Sequence, residues 1–408
     1  MSDLSIHRLK DKLNLPAFFL ELWRHGERNP TRLYDLSFSK LKDFPEGMAQ
    51  LTKNGIRQLY TLGQNFQAKY VEDLQFISKK YVNTEIYARS TNVDRSLVSA
   101  MAFYSGFYTS DENSTDSRIL FAPIPIHSIT KTEDFLDILG IRCPRKNDLW
   151  KIVDSSDEIQ ALLNQSYSIL SDISIETGIP FNFYAMTHIF DAAIIETLFK
   201  MPVPNWVKNS MIEFEGLFVN YTLTLYGFIP FKTRNFDNLQ TELTKATSGA
   251  LITEIYDRLS LKIKCQKMNE SKNKECGPIN AQKLYTYSTH DLTVVSLFAG
   301  LGFKTFLFEK YSMPAFGSTV ALELWKNGTI NESNNNEEEE NYYIKIYYYK
   351  TFNATNPMNL CDLLKPECSN EKGCPFSYLK KRAELLRPKP DWNGMCSQRA
   401  TTTAAAVS

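Results

Sequence analysis

The chain has 408 residues, 43% hydrophobic and 23% charged, the balance of a globular protein whose core can serve one domain with an insertion or two domains. Lys+Arg and Asp+Glu are equal at 46 each, so no global field favours nucleic acid or a membrane surface, and an anionic substrate has to be held by a local cluster of cations. No run of about 18 apolar residues occurs, so no membrane-spanning helix is expected.

Met1 to Lys10 lack the apolar stretch and small-residue cleavage site of a signal peptide. The apolar run from Leu15 to Trp23 carries Glu21, and Ala17–Trp23 reads as a short, mostly buried strand. Arg24-His25-Gly26-Glu27-Arg28-Asn29-Pro30 follows it directly, at a strand end, where α/β proteins place their sites. A glycine lets this backbone turn tightly, and two guanidiniums with fixed donor forks flank an imidazole that neighbouring cations keep neutral. Leu51 to Tyr70 predicts a helix, with Leu51, Gly55, Leu59, Leu62, Phe66 and Tyr70 on one face. Thr84–Ala88 reads as a second strand ending at Arg89-Ser90-Thr91. A helix follows through Val93, Leu97, Ala100, Met101 and Tyr104, with Ser90 or Thr91 placed to cap it and Arg89 placed to add charge to an anion site.

From about Lys146 to Leu261 strand signals fade. Helical segments such as Glu158–Ser171 and Leu239–Leu261 dominate, and the region reads as a helical insertion or cap. The α/β pattern resumes with the strand Leu284–Ser288, then Thr289-His290-Asp291 and a helix over Leu292–Gly300. Thr319–Trp325 and Tyr342–Tyr349 alternate like the arms of an antiparallel hairpin, joined through the polar run Asn334–Glu340, which reads as a solvated loop tip. Thr401–Ser408 reads as a disordered tail.

Each of these motifs alone also fits a bland role, such as a surface His beside solvated arginines or a capping Asp. Their shared position at three strand ends argues for one crevice holding Arg24, Arg28, Arg89, His25, His290 and Asp291. Phosphoryl transfer needs these parts: a nucleophile, cations for the equatorial oxygens, and an acid for the leaving alkoxide. The arginines neutralise the charge, so neither metal nor other cofactor is expected.

Arg-His-Gly-x-Arg-x-Pro at 24–30 is five fixed positions including a rare His. With Leu51-Thr52, Arg89-Ser90-Thr91, Asp94-Arg95, Pro123-Ile124-Pro125-Ile126-His127, Tyr287-Ser288-Thr289-His290-Asp291 and Asp391-Trp392, it resembles the histidine acid phosphatases over roughly residues 15–397. The resemblance implies a phosphoglycerate mutase-like α/β fold, a mixed sheet flanked by helices with a smaller α-helical cap domain inserted. The α/β catalytic domain would span 15–145 and 280–397, the cap 146–279 and the tail 398–408. It implies His25 as nucleophile, Asp291 as proton donor, and Arg24, Arg28, Arg89 and His290 as phosphate ligands, with activity below neutral pH on small phosphate monoesters. Asp94, Arg95 and His127 are expected to be structural. A phytase or inositol polyphosphate phosphatase, or an inactive secreted glycoprotein, are the alternatives. Members are often homodimers.

Members are also generally secreted or lysosomal, and seven cysteines and seven sequons, at Asn113, Asn164, Asn220, Asn269, Asn327, Asn331 and Asn353, point the same way. The resemblance implies bridges Cys143–Cys396 and Cys368–Cys374. Cys265 with Cys276 is then a candidate local bridge, leaving Cys361 unpaired.

Overall fold

The computed structural model describes residues 16–34, 37–108, 123–180, 183–229, 238–268, 274–304, 313–327 and 339–400. Strand β1 (Phe18–Arg24) is buried from Phe18 to Trp23. Phe18, Leu20 and Leu22 join one core cluster and Phe19 and Trp23 another, so helices cover both faces of the sheet and polar alternation is lost. Helix α1 (Lys53–Gln67) begins after Thr52, whose hydroxyl accepts from the Gly55 N–H. Next come β2 (Ile86–Ser90), α2 (Asp94–Phe107) and the two-residue β3 (Ile126–His127).

Seven helices follow with no strand between them among the described residues. They are α3 (Pro144–Asp154), α4 (Asp157–Gln165), α5 (Tyr167–Thr177), α6 (Phe183–Leu198), α7 (Asn205–Leu225), α8 (Leu239–Lys267) and α9 (Cys276–Ala281). The helix expected over Glu158–Ser171 is two helices broken at Ser166, in a polar stretch whose side chains compete for backbone hydrogen bonds. The chain then forms β4 (Leu284–Thr289), α10 (Asp291–Leu301), the hairpin β5 (Thr319–Lys326) and β6 (Tyr342–Tyr349), β7 (Met358–Asn359), β8 (Cys374–Pro375), α11 (Phe376–Leu386) and α12 (Trp392–Ser397).

The sheet order is β3-β2-β4-β1-β5-β6-β7, with β8 also on β6. β3, β2, β4 and β1 run parallel, while β5 and β6 are antiparallel, giving the expected mixed sheet flanked by helices. Side chains of α3 to α8 share one buried cluster with β1, β4, β5 and β6, so the helical segment and this face of the sheet share one core. Of the polar run Asn334–Glu340, residues 334–338 lie outside the described residues, as does the tail 401–408. Glu339 is docked rather than solvated, accepting from Ser260 at 2.8 Å and Lys380 at 3.2 Å.

Three disulfides form, Cys143–Cys396, Cys265–Cys276 and Cys368–Cys374, and Cys361 is free and buried. The first joins α3 to α12 across 253 residues, the long-loop geometry in which a crosslink most constrains the unfolded chain. No described helix is long and apolar enough to cross a membrane.

Glu21 sits between Phe19 and Trp23 on the face towards α1 and is fully buried. A π-helical turn, Ala68–Asp73, carries Tyr70, whose hydroxyl donates to Glu21 Oε1, and Lys69, which pairs with Glu323 at 2.9 Å. Burial outweighs the Lys69 charge and pushes the Glu21 carboxyl up to about 8. Burial raises Asp134, Asp154 and Glu196 too. Between 4.5 and about 8 the folded chain keeps a proton on Glu21 that the unfolded chain has released, so stability falls as pH rises through that window. Thermal melts at pH 5 and pH 8 are expected to show a loss for the native chain, up to about 1.4 kcal/mol per pH unit, that Glu21→Gln flattens. Identical pH slopes would mean Glu21 is not held neutral.

Candidate active site

β2, β4 and β1 are adjacent and parallel, so their carboxyl ends share one edge, with Ser90 beside Ser288 and Arg24 beside Thr289. Hydrogen bonds fix the three ends together. The His25 N–H donates to Thr289 O at 2.9 Å, the Thr91 N–H to Ser288 O at 3.1 Å, and the Trp23 indole to the Ser288 hydroxyl at 3.1 Å. Helix α1 presses its first turn against the loop after β1. A Cβ on Gly26 would sit 2.4 Å from the Gly55 carbonyl oxygen, and one on Gly55 would sit 2.0 Å from that of Glu27. Only two glycines allow this approach. Glu27 secures it, accepting at 2.8 Å from the Thr52 hydroxyl and at 2.9 Å from the Asn54 amide, while its N–H donates to Gln58 at 2.8 Å.

The loop opens into a cavity of about 590 Å³ lined by Arg24, His25, Arg28, Arg95, His290 and Asp291 among others. The His25 Nδ1 lies 2.9 Å from the Gly26 carbonyl, which can only accept, so Nδ1 carries the ring proton and the Nε2 lone pair is left for chemistry. Burial first, then Arg95, Arg28 and Arg24, hold the His25 pKa well below the usual 6.5, so the ring stays neutral in mild acid. His290 stands edge-on to it with ring centroids 5.4 Å apart, and burial and the same cations also keep it neutral. Arg95 donates to His290 Nδ1 at 3.4 Å, so His290 Nε2–H donates to Thr91 Oγ1 at 3.0 Å. Donating to a phosphate requires one of these contacts to give way.

Arg24 is paired with Asp291 at 2.8 Å, donates to Pro314 O at 2.6 Å and lies over the Phe316 ring at 4.0 Å. Arg28 is paired with Asp191 at 2.7 Å. Burial works against the Arg28 charge, yet the Asp191 charge and hydrogen bonds outweigh it and raise its pKa. Arg95 has no carboxylate partner among the described residues, and burial, then the Arg28 charge, bring it down to about 10. The buried Nε–H of Arg24, Arg28 and Arg95 has no protein partner in any of the three. Among the described residues no group of three or more His, Cys, Asp or Glu is disposed to hold a metal ion.

Five of the six residues expected to meet line this cavity; Arg89 does not. Its guanidinium donates to Asp134 at 2.8 Å and to Glu254 at 2.9 Å, and Phe135 lies 4.7 Å below it. Side chains alternate along a strand, and Arg89 points away from the crevice towards α8. Arg95, expected to be structural, takes the place. It lies in the first turn of α2, where side chains lean back towards the helix N-terminus and so over the crevice. Ser90 and Thr91 do not cap α2, whose N-cap is Val93. The Thr91 hydroxyl meets His290 instead. His127 is exposed and stacks on Tyr87 at 4.4 Å, away from the cavity. Asp191, which the motifs do not indicate, reaches the site from α6 and was signalled only as a charge inside an apolar helix.

A model of the histidine phosphatase superfamily (branch 2) matches residues 18–349, well over half of the chain. The chain belongs to that superfamily. This histidine phosphatase is 28% identical to the prostatic acid phosphatase of Rattus norvegicus over 387 residues, covering 93% of the chain and 88% of the relative. It is 26% identical to the lysosomal acid phosphatase of Bos taurus over 384 residues, covering 93% and 79%. Among solved structures, the Hafnia alvei phytase in complex with tartrate matches with a TM-score of 0.61 at 14% identity, covering 91% of this chain and 96% of that one. The phytase from Citrobacter braakii matches at 0.60 and 14%, covering 95% and 100%. At those identities the two structures speak to the fold alone.

The contact between the His25 loop and α1 makes a direct prediction for Gly55→Ala. Its methyl group meets backbone, so stability should fall by about 1–3 kcal/mol or more, with most activity lost. Gly216→Ala, which meets nothing within 4 Å, is the control and should be neutral or stabilising. Equal behaviour of the two in melting and turnover would refute the constraint.

Proposed function

We propose that this histidine phosphatase is an acid phosphatase, a phosphomonoesterase that works through a phosphohistidine on His25. The observation that supports this most is the set of buried, unpartnered Nε–H donors of Arg24, Arg28 and Arg95 around a neutral imidazole whose Nε2 is free to attack. Arg89 and Arg258 also carry such a donor, but these three line the cavity, where an oxyanion fits their guanidinium edges.

In this mechanism a phosphate monoester places its oxygens on the arginines, with His290 as a further ligand. His25 Nε2 attacks phosphorus in line with the ester oxygen, forming the N–P bond as the P–O bond breaks. As the phosphate takes over Arg24, Asp291 leaves that ion pair, and in its acid form it gives its proton to the departing alkoxide, so the alcohol leaves neutral. In the second half-reaction the Asp291 carboxylate takes a proton from water, whose oxygen displaces His25 from phosphorus. Phosphate leaves, and both side chains regain their starting forms. Asp291 is held 2.8 Å from Arg24, at the mouth of the same cluster.

A simple monoester suits the cavity better than a polyphosphorylated ring. Among the described residues, beyond the three arginines, His25 and His290, the basic side chains lining it are Lys131 and His188. Burial first, then the Arg32 charge, lowers the His188 pKa and so disfavours its charged form. Ile138, Leu139, Phe190, Ile194, Ile195 and Leu198 form apolar walls. The same proposal places the protein in a secretory or lysosomal compartment, on the strength of three disulfides and exposed sequon residues at Asn164, Asn220, Asn327 and Asn353. Asn113, Asn269 and Asn331 lie outside the described residues. A homodimer, implied by the family resemblance, belongs to the same proposal.

Turnover of a chromogenic phosphate ester across pH 4–8 tests the mechanism. Activity should rise into acid without a break near 6.5, because the His25 pKa lies well below that value and the neutral nucleophile persists. His25→Ala should be inactive, and undiminished turnover by it would end the reading. A second measurement separates the two candidate arginines. Arg95→Ala should lose roughly a hundredfold or more in kcat/KM. Arg89→Ala leaves Asp134 buried without its partner and should lose about 3–5 kcal/mol of stability while keeping its affinity for inorganic phosphate. The reverse pattern would return Arg89 to the site.

A further inference from the structure

Asp191 lies on α6, 163 residues from Arg28 along the chain, yet its carboxylate meets the loop after β1 through four hydrogen bonds. Arg28 donates to both of its oxygens, at 3.1 Å from Nη1 and 2.7 Å from Nη2. The Thr31 N–H and hydroxyl each donate to Oδ2 at 2.8 Å. The single Thr31 hydroxyl proton goes to Asp191, so the oxygen accepts from His188 Nδ1 at 3.1 Å, one helical turn before Asp191 on α6. Burial opposes the carboxylate charge, but Arg28 and Thr31 outweigh it and keep Asp191 ionised.

Counting the donors of Arg28 shows what this does. A guanidinium has five N–H groups. One Nη1–H goes to the Asn29 carbonyl at 3.1 Å, and one each of Nη1 and Nη2 goes to Asp191. The two that remain are Nε–H, which is buried without a protein partner, and the Nη2–H beside it. These form one parallel fork on the free edge of the guanidinium plane, the geometry that takes two oxygens of a phosphate.

We infer that Asp191 is a positioning residue for phosphate binding: the carboxylate from α6 fixes the Arg28 plane and leaves only its side-on fork for the substrate. The helices of the 144–281 segment therefore help to shape the anion site as well as the walls of the cavity. Asp191 touches no reacting atom; it acts through Arg28. The inference rests on the proposed role of Arg28 as a phosphate ligand.

The test is a double-mutant cycle on the full chain, with inorganic phosphate as competitive inhibitor and a chromogenic ester as substrate. Asp191→Asn keeps the shape but puts an amide against donors, and should raise both the phosphate inhibition constant and KM roughly tenfold or more, in line with the cost of misplacing a binding group. In an Arg28→Ala background the same change should add nothing further. Melting temperatures are taken for every variant. If Asp191→Asn lowers melting temperature while phosphate inhibition is unchanged, or if the two effects simply add, the positioning role is overturned. If Arg28→Ala itself leaves phosphate inhibition unchanged, the phosphate-binding reading beneath it fails first. Should Asp191→Asn not fold, Thr31→Val keeps the ion pair and removes one of its supports. It should then raise the inhibition constant by a smaller factor in the same direction, and an unchanged constant would count against the inference.

Discussion

The structure depends on holding several like charges close together under cover. Arg24, Arg28 and Arg95 converge on His25 with little water to screen them, an arrangement that is unfavourable unless counter-charges lie near. Two are supplied by the chain, Asp291 to Arg24 and Asp191 to Arg28. The third guanidinium has no carboxylate among the described residues, and so the cluster keeps one positive charge in excess. Burial first, and that excess second, keep the imidazole neutral and so nucleophilic, and the excess is also what a phosphate would compensate. One electrostatic arrangement thus sets both the affinity for an anion and the reactivity of the group facing it.

The scaffold makes this arrangement possible through register. Parallel neighbours β2, β4 and β1 end together, so three loops from distant parts of the sequence deliver their first side chains to one edge. The paired glycines let α1 seat its first turn against the loop after β1, and Glu27 binds the two together. The far side is closed by α6, which brings His188 and Asp191 into the cavity lining. Buried carboxyls that favour their protonated form, Glu21 above all, suit a fold that holds together in acid.

Much of this was legible in the residues. The 24–30 motif stands out because a His between two arginines with a glycine has few structural uses, and the strand ends were marked by apolar runs followed by helical periodicity. The β5–β6 hairpin followed from the same patterns, while the mixed sheet was implied by the family resemblance. Arg89 and Arg95 show where that reading stops. Both lie close to the second strand end, and composition cannot say which way a side chain faces; strand parity turns one away and the first helical turn brings the other in. Asp191 was further out of reach, because pairing across 163 residues leaves no local signal beyond one of two acidic residues in a mostly apolar helix. The break at Ser166 was missed because both of its flanks carry good helical periodicity.

A structure determined with orthovanadate bound tests the central claim most directly. Vanadium is expected at His25 Nε2, with its oxygens within hydrogen-bond distance of Arg24, Arg28 and Arg95 and with Asp291 opposite the imidazole. Vanadate bound elsewhere, or an imidazole turned away from it with Arg95 unengaged, would contradict it.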